Sequence, residues 1–195
     1  MSLFDLNNKS ILITGSSRGI GKAIAYQSAL MGANVIISSR KIDACKETAE
    51  EINKSIGKEV AFPIECNIGN DDQLQNLVNA SLETLGSIDT LVCNAATNTY
   101  MGSMLDMSNE QFDKVMHNNI RSNQILCNLC IPHMIEKEAG SIIIVSSIAA
   151  IKGSSILGAY NISKAADVMI VKNIAAEFGH KNIRANSIAP GLIKT

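Results

Sequence analysis

The chain has 195 residues, of which 46% are hydrophobic, and its formal net charge is −1. This size and composition favour one soluble α/β domain, residues 1–195, with a large core. The near-neutral charge gives no electrostatic reason to expect nucleic acid or an anionic membrane as a partner. No basic segment precedes an apolar stretch at the amino terminus, and the longest apolar run, around 141–151, is shorter than the roughly 18 residues of a membrane span. We therefore expect a cytoplasmic or matrix-type location.

Short apolar runs alternate with amphipathic segments along the whole chain, without repeats, low-complexity tracts or linkers. This alternation predicts a doubly wound parallel sheet with a functional site at the carboxyl ends of its strands. The predicted strands are 10–14, 34–38, 59–64, 88–93, 141–146 and 183–188. The predicted helices are 19–31, 42–56, 71–85, 109–136 and 158–179.

A glycine-rich turn separates the first predicted strand from the first predicted helix. Gly15, Gly19 and Gly21 stand in the sequence Gly-Ser-Ser-Arg-Gly-Ile-Gly. A helix amino terminus directs unpaired amides at a phosphate, and glycines allow its close approach. The spacing differs from the common Gly-x-Gly-x-x-Gly pattern, and an ordinary turn is the alternative. We interpret this loop as a pyrophosphate site.

The end of the second predicted strand indicates which dinucleotide binds. A site selective for NAD usually carries an acidic residue here for the ribose hydroxyl. This chain has Ser39 and Arg40 instead. Arg40, together with Arg18 of the glycine loop, is suited to pair with a ribose 2′-phosphate. The sequence therefore favours NADP(H), the alternative being that Arg40 is a solvated loop residue.

Five cysteines form an odd set without the pattern of a disulfide-rich scaffold, and we expect reduced thiols. Cys127 and Cys130 have the spacing of a metal or redox motif. There is no second pair for zinc, and the motif lies well inside a long helical pattern. Core packing is the preferred interpretation, and no metal site is predicted.

The residues that best indicate a reaction are Ser147, Tyr160 and Lys164. Ser147 follows the fifth predicted strand, and the other two lie four residues apart on one helix face. A nearby ammonium favours phenolate and lowers the pKa of a tyrosine. Bringing that pKa from about 10 towards about 7 takes roughly 4 kcal/mol. Lys164 can supply part of this, and an oxidised nicotinamide ring would add a second positive charge.

These motifs resemble those of the short-chain dehydrogenases/reductases. The resemblance covers essentially the whole chain and includes Asn94-Ala95-Ala96, Tyr160-x-x-x-Lys164 and Pro190-Gly191 in the family's order. Within the family, the chain looks most like the NADPH-dependent carbonyl reductases of the peroxisomal retinal/ketone-reductase type, followed by the 3-oxoacyl-carrier-protein reductases. The resemblance implies a Rossmann-type fold, a small-molecule carbonyl substrate, and homodimers or homotetramers formed through the long helices.

The resemblance also implies roles for individual residues. Tyr160 would be the general acid or base, Lys164 would lower its pKa and hold the nicotinamide ribose, and Ser147 would bind the substrate oxygen. Asn119 would hold a proton-relay water, with Asn118 the alternative if the register differs by one. Asn67 stands where many relatives have an aspartate beside the adenine. The residues implied to contact the dinucleotide are Gly15, Ser17, Arg18, Gly19, Ile20, Gly21, Ser39, Arg40, Asn67, Ile68, Asn94, Ala95, Tyr160, Lys164, Pro190, Gly191, Ile193 and Thr195.

Relatives usually continue for about another quarter of their length after the Pro-Gly segment, through a substrate lid and a last strand. This sequence stops at Thr195, so we expect strand 183–188 to form an exposed edge of the sheet.

The motifs leave two hypotheses for the function. One is an NADP(H)-dependent oxidoreductase acting on an apolar ketone or aldehyde. The other is a truncated protein that binds the cofactor without turnover and acts through association. A dehydratase or epimerase is a weaker alternative, because those relatives are generally longer.

Overall fold

The computed structural model describes residues 4–194, which form one parallel six-stranded sheet with helices on both faces. The predicted doubly wound fold is confirmed. The strands are β1 (Ser10–Thr14), β2 (Asn34–Ser39), β3 (Ala61–Glu65), β4 (Thr90–Cys93), β5 (Gly140–Val145) and β6 (Ile183–Ile188). The main helices are α1 (Gly19–Leu30), α2 (Ile42–Ile56), α3 (Asp71–Leu85), α4 (Asn109–Met116), α5 (Ser122–Glu136) and α6 (Gly158–Phe178).

The strand order explains where a ligand can bind. The order across the sheet is β3-β2-β1-β4-β5-β6, and all neighbours are parallel. The chain moves outward from β1 to β3 and then returns to place β4 on the other side of β1. The connections after β1 and β4 therefore leave the sheet in opposite directions, which opens a crevice at their carboxyl ends.

The apolar strands divide the core between two faces. In β1, Leu12 packs into the cluster beneath α3, α5 and α6, whereas Ile11 and Ile13 pack into the cluster beneath α1 and α2. Strand Cβ atoms alternate between faces, and both faces here are covered by helices. This is why the strands appear in the sequence as continuous apolar runs rather than as alternating patterns.

Three predicted elements differ from the observed ones by more than one residue. The helix predicted at 109–136 is α4 and α5 joined by a π-helical turn, His117–Arg121. The strands predicted at 59–64 and 88–93 begin two residues later, at Ala61 and Thr90. Asn53 of α2 accepts hydrogen bonds from the amides of Val60 and Ala61, both at 2.8 Å, and thereby ties the start of β3 to the preceding helix.

Two side chains donate hydrogen bonds to backbone carbonyls of the π-helical turn. The Ser122 hydroxyl donates to the Asn118 carbonyl at 2.5 Å. The Asn123 amide donates to the Asn119 carbonyl at 2.7 Å. Single π-helical turns inside α-helices are often found at functional sites, and this one points the buried side chain of Asn119 towards α6.

Within residues 4–194, β6 is an edge strand, since it pairs with β5 and no strand pairs with its other side. This agrees with the exposed edge predicted from the sequence. No helix in the same range has both the length and the hydropathy that crossing a bilayer requires.

Asp89 links several elements at the amino ends of the strands. Its carboxylate accepts a hydrogen bond from the Ser10 amide at 2.9 Å and one from Lys137 Nζ at 2.7 Å. Burial tends to raise the pKa of this carboxyl group, but Lys137 and the Ser10 amide outweigh it and the pKa is lowered. The charged form of Asp89 is therefore favoured by folding.

We expect Asp89→Asn to lower the free energy of unfolding by roughly 1 kcal/mol near neutral pH, a modest loss because Lys137 is partly solvated. A carboxyl group with a lowered pKa in the folded state stabilises the fold above its unfolded pKa, near 3.8, and loses this effect as the pH falls. Urea unfolding at a series of pH values is the measurement. A difference between wild type and variant that persists unchanged in acid would contradict this assignment.

Candidate active site

Two hydrogen bonds fasten α6 to the carboxyl end of β5. Lys164 Nζ donates to the Val145 carbonyl at 2.8 Å, and the Ser146 hydroxyl donates to the Lys164 carbonyl at 2.7 Å. Lys164 is 2% exposed. The helix that carries Tyr160 is thus held at a fixed height against the strand that leads to Ser147.

Tyr160 and Ser147 lie on either side of this junction. Tyr160 is half-buried, one turn before Lys164 on the same helix, and its ring centroid is 5.8 Å from Lys164 Nζ. Ser147 begins a short 3₁₀ turn, Ile148–Ala150, that packs against α6, and its hydroxyl accepts from the Ala149 amide at 3.1 Å. The three residues identified from the sequence therefore all lie near the carboxyl end of β5.

Asn119 connects the π-helical turn to the loop after β4 and to α6. Its side-chain oxygen accepts from the Thr97 amide at 2.8 Å, and its amide donates to the Thr97 carbonyl at 2.8 Å and to the Ser163 hydroxyl at 3.0 Å. Asn118 instead lines a cleft that Arg40 and Asn67 also line. The buried residue of the two candidates is thus Asn119, and which of them holds a relay water stays a prediction.

A buried carboxylate beside Lys164 was missed by the sequence analysis. Asp167 Oδ2 accepts from Lys164 Nζ at 2.9 Å, and Oδ1 accepts from the Asn123 amide at 2.9 Å. Burial raises the pKa of Asp167, and Lys164 and Asn123 oppose that rise. The signal in the sequence was an aspartate three residues after the lysine, on the same helix face.

The glycine loop has the geometry that a phosphate requires. Gly15 and Gly19 have φ of 65° and 56°, in the left-handed region that favours glycine. A Cβ at Gly21 would collide with the Gly15 carbonyl oxygen. No side chain caps the amino terminus of α1, and its first turn contains no acidic residue, so its amides face the crevice without a competing acceptor.

Asn94 joins this loop to the end of β4. Its amide donates to the carbonyls of Thr14 and Gly15 at 2.9 and 3.0 Å. The Thr14 hydroxyl accepts from the amides of Asn94 and Ala95 at 3.0 and 3.1 Å. The buried Ser16 hydroxyl links the glycine loop to β2, because it accepts a hydrogen bond from the Ser38 amide at 2.8 Å. Thr14 and Ser16 were not among the predicted site residues, because their contribution is to hold the loop rather than to face the crevice.

A second group of predicted residues lies at the ends of β2 and β3. Arg40 and Asn67 are exposed and line a cleft of about 420 Å³. Asn67 makes its own turn, since its side-chain oxygen accepts from the Gly69 amide at 3.1 Å. The adjacent Ser39 and Ile68 are partly buried. The remaining residues around the cleft are Gly69, Asp113, Lys114, His117 and Asn118.

The Pro-Gly segment reaches the same end of the sheet. The Pro190 carbonyl accepts from the Ile148 amide at 3.0 Å, which places this segment beside the turn that follows Ser147. Gly191 and Ile193 are exposed. Thr195, also predicted to contact the dinucleotide, lies outside the described residues.

All five cysteines are free and buried, as expected for thiols that pack in the core. Hydrogen bonding to Cys127 and burial raise the pKa of Cys93, and burial raises the pKa of Cys130. Within residues 4–194, no group of His, Cys, Asp and Glu side chains is arranged to hold a metal ion.

Comparison with known proteins identifies the family. The short chain dehydrogenase family profile matches residues 9–195. The chain belongs to the short-chain dehydrogenase/reductase family. It is 38% identical over 190 residues to dehydrogenase/reductase SDR family member 4 of Sus scrofa, a match that covers 97% of this chain and 67% of the relative. It is 40% identical over 190 residues to human dehydrogenase/reductase SDR family member 2, mitochondrial, with the same coverage.

A solved structure shows the same architecture. The structure of a 7α-hydroxysteroid dehydrogenase complexed with NADH and 7-oxo glycochenodeoxycholic acid superposes with a TM-score of 0.91 at 35% identity. The match covers 96% of this chain and 72% of that chain. The resemblance inferred from the motifs is thus confirmed at the level of the family, and the chain is an oxidoreductase of the nicotinamide-dependent class.

The residues of this short-chain dehydrogenase/reductase fit a dinucleotide. The uncapped start of α1 and the glycine loop form a cradle that a Cβ at Gly21 would fill. Arg40 supplies a guanidinium in the cleft at the ends of β2 and β3. We expect the pyrophosphate to bind at the loop and the adenosine to bind in the cleft.

We expect Gly21→Ala to weaken NADPH binding by at least about tenfold, because the added methyl displaces the Gly15 carbonyl and with it the loop that receives the pyrophosphate. Isothermal titration calorimetry with NADPH measures the affinity. Gly179→Ala is the matched control, because a Cβ there meets no atom within 4 Å and φ is −59°. Equal affinities for the two variants would refute the predicted position of the pyrophosphate.

Proposed function

We propose that this chain is an NADP(H)-dependent oxidoreductase that transfers a hydride to or from the carbonyl or alcohol carbon of an apolar ketone or aldehyde. The observation that carries the proposal is the junction at the end of β5. There Lys164, fixed to the Val145 carbonyl, lies beside the Tyr160 ring and next to the turn that begins with Ser147.

Each of the three side chains has a chemical task in this proposal. The Ser147 hydroxyl hydrogen-bonds the substrate oxygen and orients the carbonyl. The Tyr160 hydroxyl gives its proton to that oxygen in reduction and takes it back in oxidation. The Lys164 ammonium favours the phenolate that remains after the proton has left. The bound dinucleotide supplies or accepts the hydride.

Exposed apolar side chains on the segments after β4 and before α6 support an apolar substrate. The loop after β4 approaches the segment before α6, where the Gly102 amide donates to the Ile156 carbonyl at 3.0 Å. Met101, Ile151 and Ile156 are exposed on these two segments. Exposed apolar side chains grouped beside a polar site are typical of a mouth that receives an apolar ligand.

The charged residues of the cleft at the ends of β2 and β3 support NADP(H) over NAD(H). Arg40 and Lys114 both line the cleft, and Asp113 is the acidic residue on its wall. The end of β2, where a carboxylate would select the ribose hydroxyl, carries Ser39 and Arg40. A guanidinium at this point suits a 2′-phosphate.

Assembly and location belong to the same proposal. Exposed apolar side chains on α6, Ile162 and Met169, support a homodimer or homotetramer formed through the long helices. The location proposed with it is a cytoplasmic or matrix-type compartment.

We expect Tyr160→Phe to lower the rate of carbonyl-dependent NADPH oxidation by about 10²- to 10⁴-fold, because the phenylalanine has no proton to donate. The assay follows NADPH consumption with a panel of ketones, aldehydes and a 3-oxoacyl thioester. Tyr26→Phe is the matched control, since the Tyr26 hydroxyl contacts Ser55 on the surface, away from the site. An unchanged rate in Tyr160→Phe would refute the assigned role.

The same panel tests the inactive alternative. NADPH binding by wild type without turnover on the whole panel would favour a chain that binds the cofactor without catalysis.

We expect Arg40→Ser to raise the Kd for NADPH by roughly 10- to 100-fold, because one charge-assisted hydrogen bond to the 2′-phosphate is lost. The Kd for NADH should stay nearly unchanged, because NADH has no 2′-phosphate. Calorimetry with both dinucleotides provides the comparison. Arg184→Ser removes the same charge at the start of β6, where Arg184 contacts the Ser141 hydroxyl, and serves as the control. An equal loss of affinity for both dinucleotides would count against a 2′-phosphate contact.

A further inference from the structure

We propose that Asp167 is a positioning residue for Lys164. The Asp167 carboxylate is the counter-ion that keeps the Lys164 ammonium charged and fixed beside Tyr160. The Asn123 side chain orients the carboxylate. This inference rests on the proposed function, in which the charge of Lys164 favours the Tyr160 phenolate. Asp167 itself contacts neither the crevice nor the Tyr160 ring in the hydrogen bonds that it makes, so it acts through Lys164.

The hydrogen bonds of Lys164 show what Asp167 contributes. An ammonium has three N–H donors. One is bound by the Val145 carbonyl at 2.8 Å and another by Asp167 Oδ2 at 2.9 Å. The carbonyl fixes a direction but carries no net charge. Asp167 is therefore the group that balances the charge of a side chain that is 3% exposed.

The position of Asp167 is itself fixed from a second helix. The Asn123 amide donates both to Asp167 Oδ1, at 2.9 Å, and to the Asn119 carbonyl in the π-helical turn, at 2.7 Å. The carboxylate is 0% exposed. A continuous set of hydrogen bonds thus leads from the π-helical turn through Asn123 and Asp167 to Lys164. This arrangement holds the ammonium from two sides.

The surroundings leave Lys164 and Asp167 as a charged pair among neutral groups. The titratable groups that face Asp167 are Lys164 from its own helix and Cys93 from the end of β4, which lies beside Cys127 and Cys130 of α5. Hydrogen bonding to Cys127 and burial raise the pKa of Cys93, and burial raises the pKa of Cys130. Both thiols stay protonated near neutral pH.

Removal of the carboxylate has a defined consequence. A buried ammonium without a counter-ion is strongly disfavoured, so it loses its proton or leaves its position. Either response removes positive charge from beside Tyr160, and the phenolate then forms only at higher pH. Two other roles predict different results. If Asp167 only fills space, its removal does not change the pH at which Tyr160 ionises. If Asp167 instead weakens the effect of the Lys164 charge on Tyr160, its removal makes the phenolate form at lower pH.

The test is a near-ultraviolet titration of tyrosine ionisation in the free 195-residue chain. Each protein is measured with and without Tyr160→Phe, and the difference isolates Tyr160 from Tyr26 and Tyr100. In Asp167→Asn we expect the Tyr160 midpoint to rise by on the order of one pH unit. Asp89→Asn is the matched control: it removes the same charge from a carboxylate paired with Lys137 at the other end of the sheet, and we expect no shift.

An unchanged midpoint in Asp167→Asn would overturn the proposal, even if the variant is less stable, because it would show a structural role alone. A lower midpoint would overturn it as well, because it would show that Asp167 screens Lys164. The titration uses neither substrate nor dinucleotide. Its outcome is therefore separate from that of the carbonyl-reduction assay, which tests the proposed function.

A second variant decides the matter if Asp167→Asn does not fold. The double variant Lys164→Met, Asp167→Leu replaces both charges with apolar groups, a change that buried ion pairs often tolerate. Recovery of a cooperative unfolding transition in the double variant supports the proposal, because the unpaired ammonium is then what prevents folding. Failure of the double variant to fold as well would overturn it, since the defect would not depend on the charge of Lys164.

Discussion

The geometry of the active site depends on the attachment of one helix to one strand end. Lys164 reaches back to the Val145 carbonyl, and Ser146 reaches forward to the Lys164 carbonyl. These two bonds cross between β5 and α6 in opposite directions, so the helix cannot slide along the strand without breaking one of them. Tyr160 is carried by that helix and Ser147 follows that strand. Their separation is therefore set by backbone-anchored contacts rather than by the side chains themselves.

The topology of the sheet joins this junction to the glycine loop. The return from β3 to β4 opens the crevice beside β1, and Asn94 links the two loops that border it by donating to the Thr14 and Gly15 carbonyls. The expected phosphate cradle belongs to the first half of the chain, and the residues proposed for proton transfer belong to the second. A ligand that extends across the crevice is needed to bring both halves into one reaction. A dinucleotide has that length and that polarity.

Sequence patterns predicted most of this arrangement, for identifiable reasons. The strands are buried on both faces, so their apolar runs are continuous and easily recognised. The glycine loop and the Tyr160–Lys164 pair are local in the chain, and local spacing fixes their relative positions. The π-helical turn was not predicted, because α and π registers share the same hydrophobic pattern over a few residues. Asn123 was missed for a different reason: its partner Asp167 lies 44 residues further along the chain, and the two come within hydrogen-bond distance only in the folded structure.

The buried pair of Lys164 and Asp167 cannot be explained by stability alone. The desolvation of two charges offsets much of their attraction, and apolar residues of similar size commonly replace such pairs without loss. The same helix face continues with Val171 and Ile174, both buried in the core, so an apolar side chain at position 167 would also pack there. A carboxylate at this position has a clear physical advantage only if the lysine must stay charged. The proposed proton transfer at Tyr160 requires that charge, whereas the packing of α6 against the sheet does not.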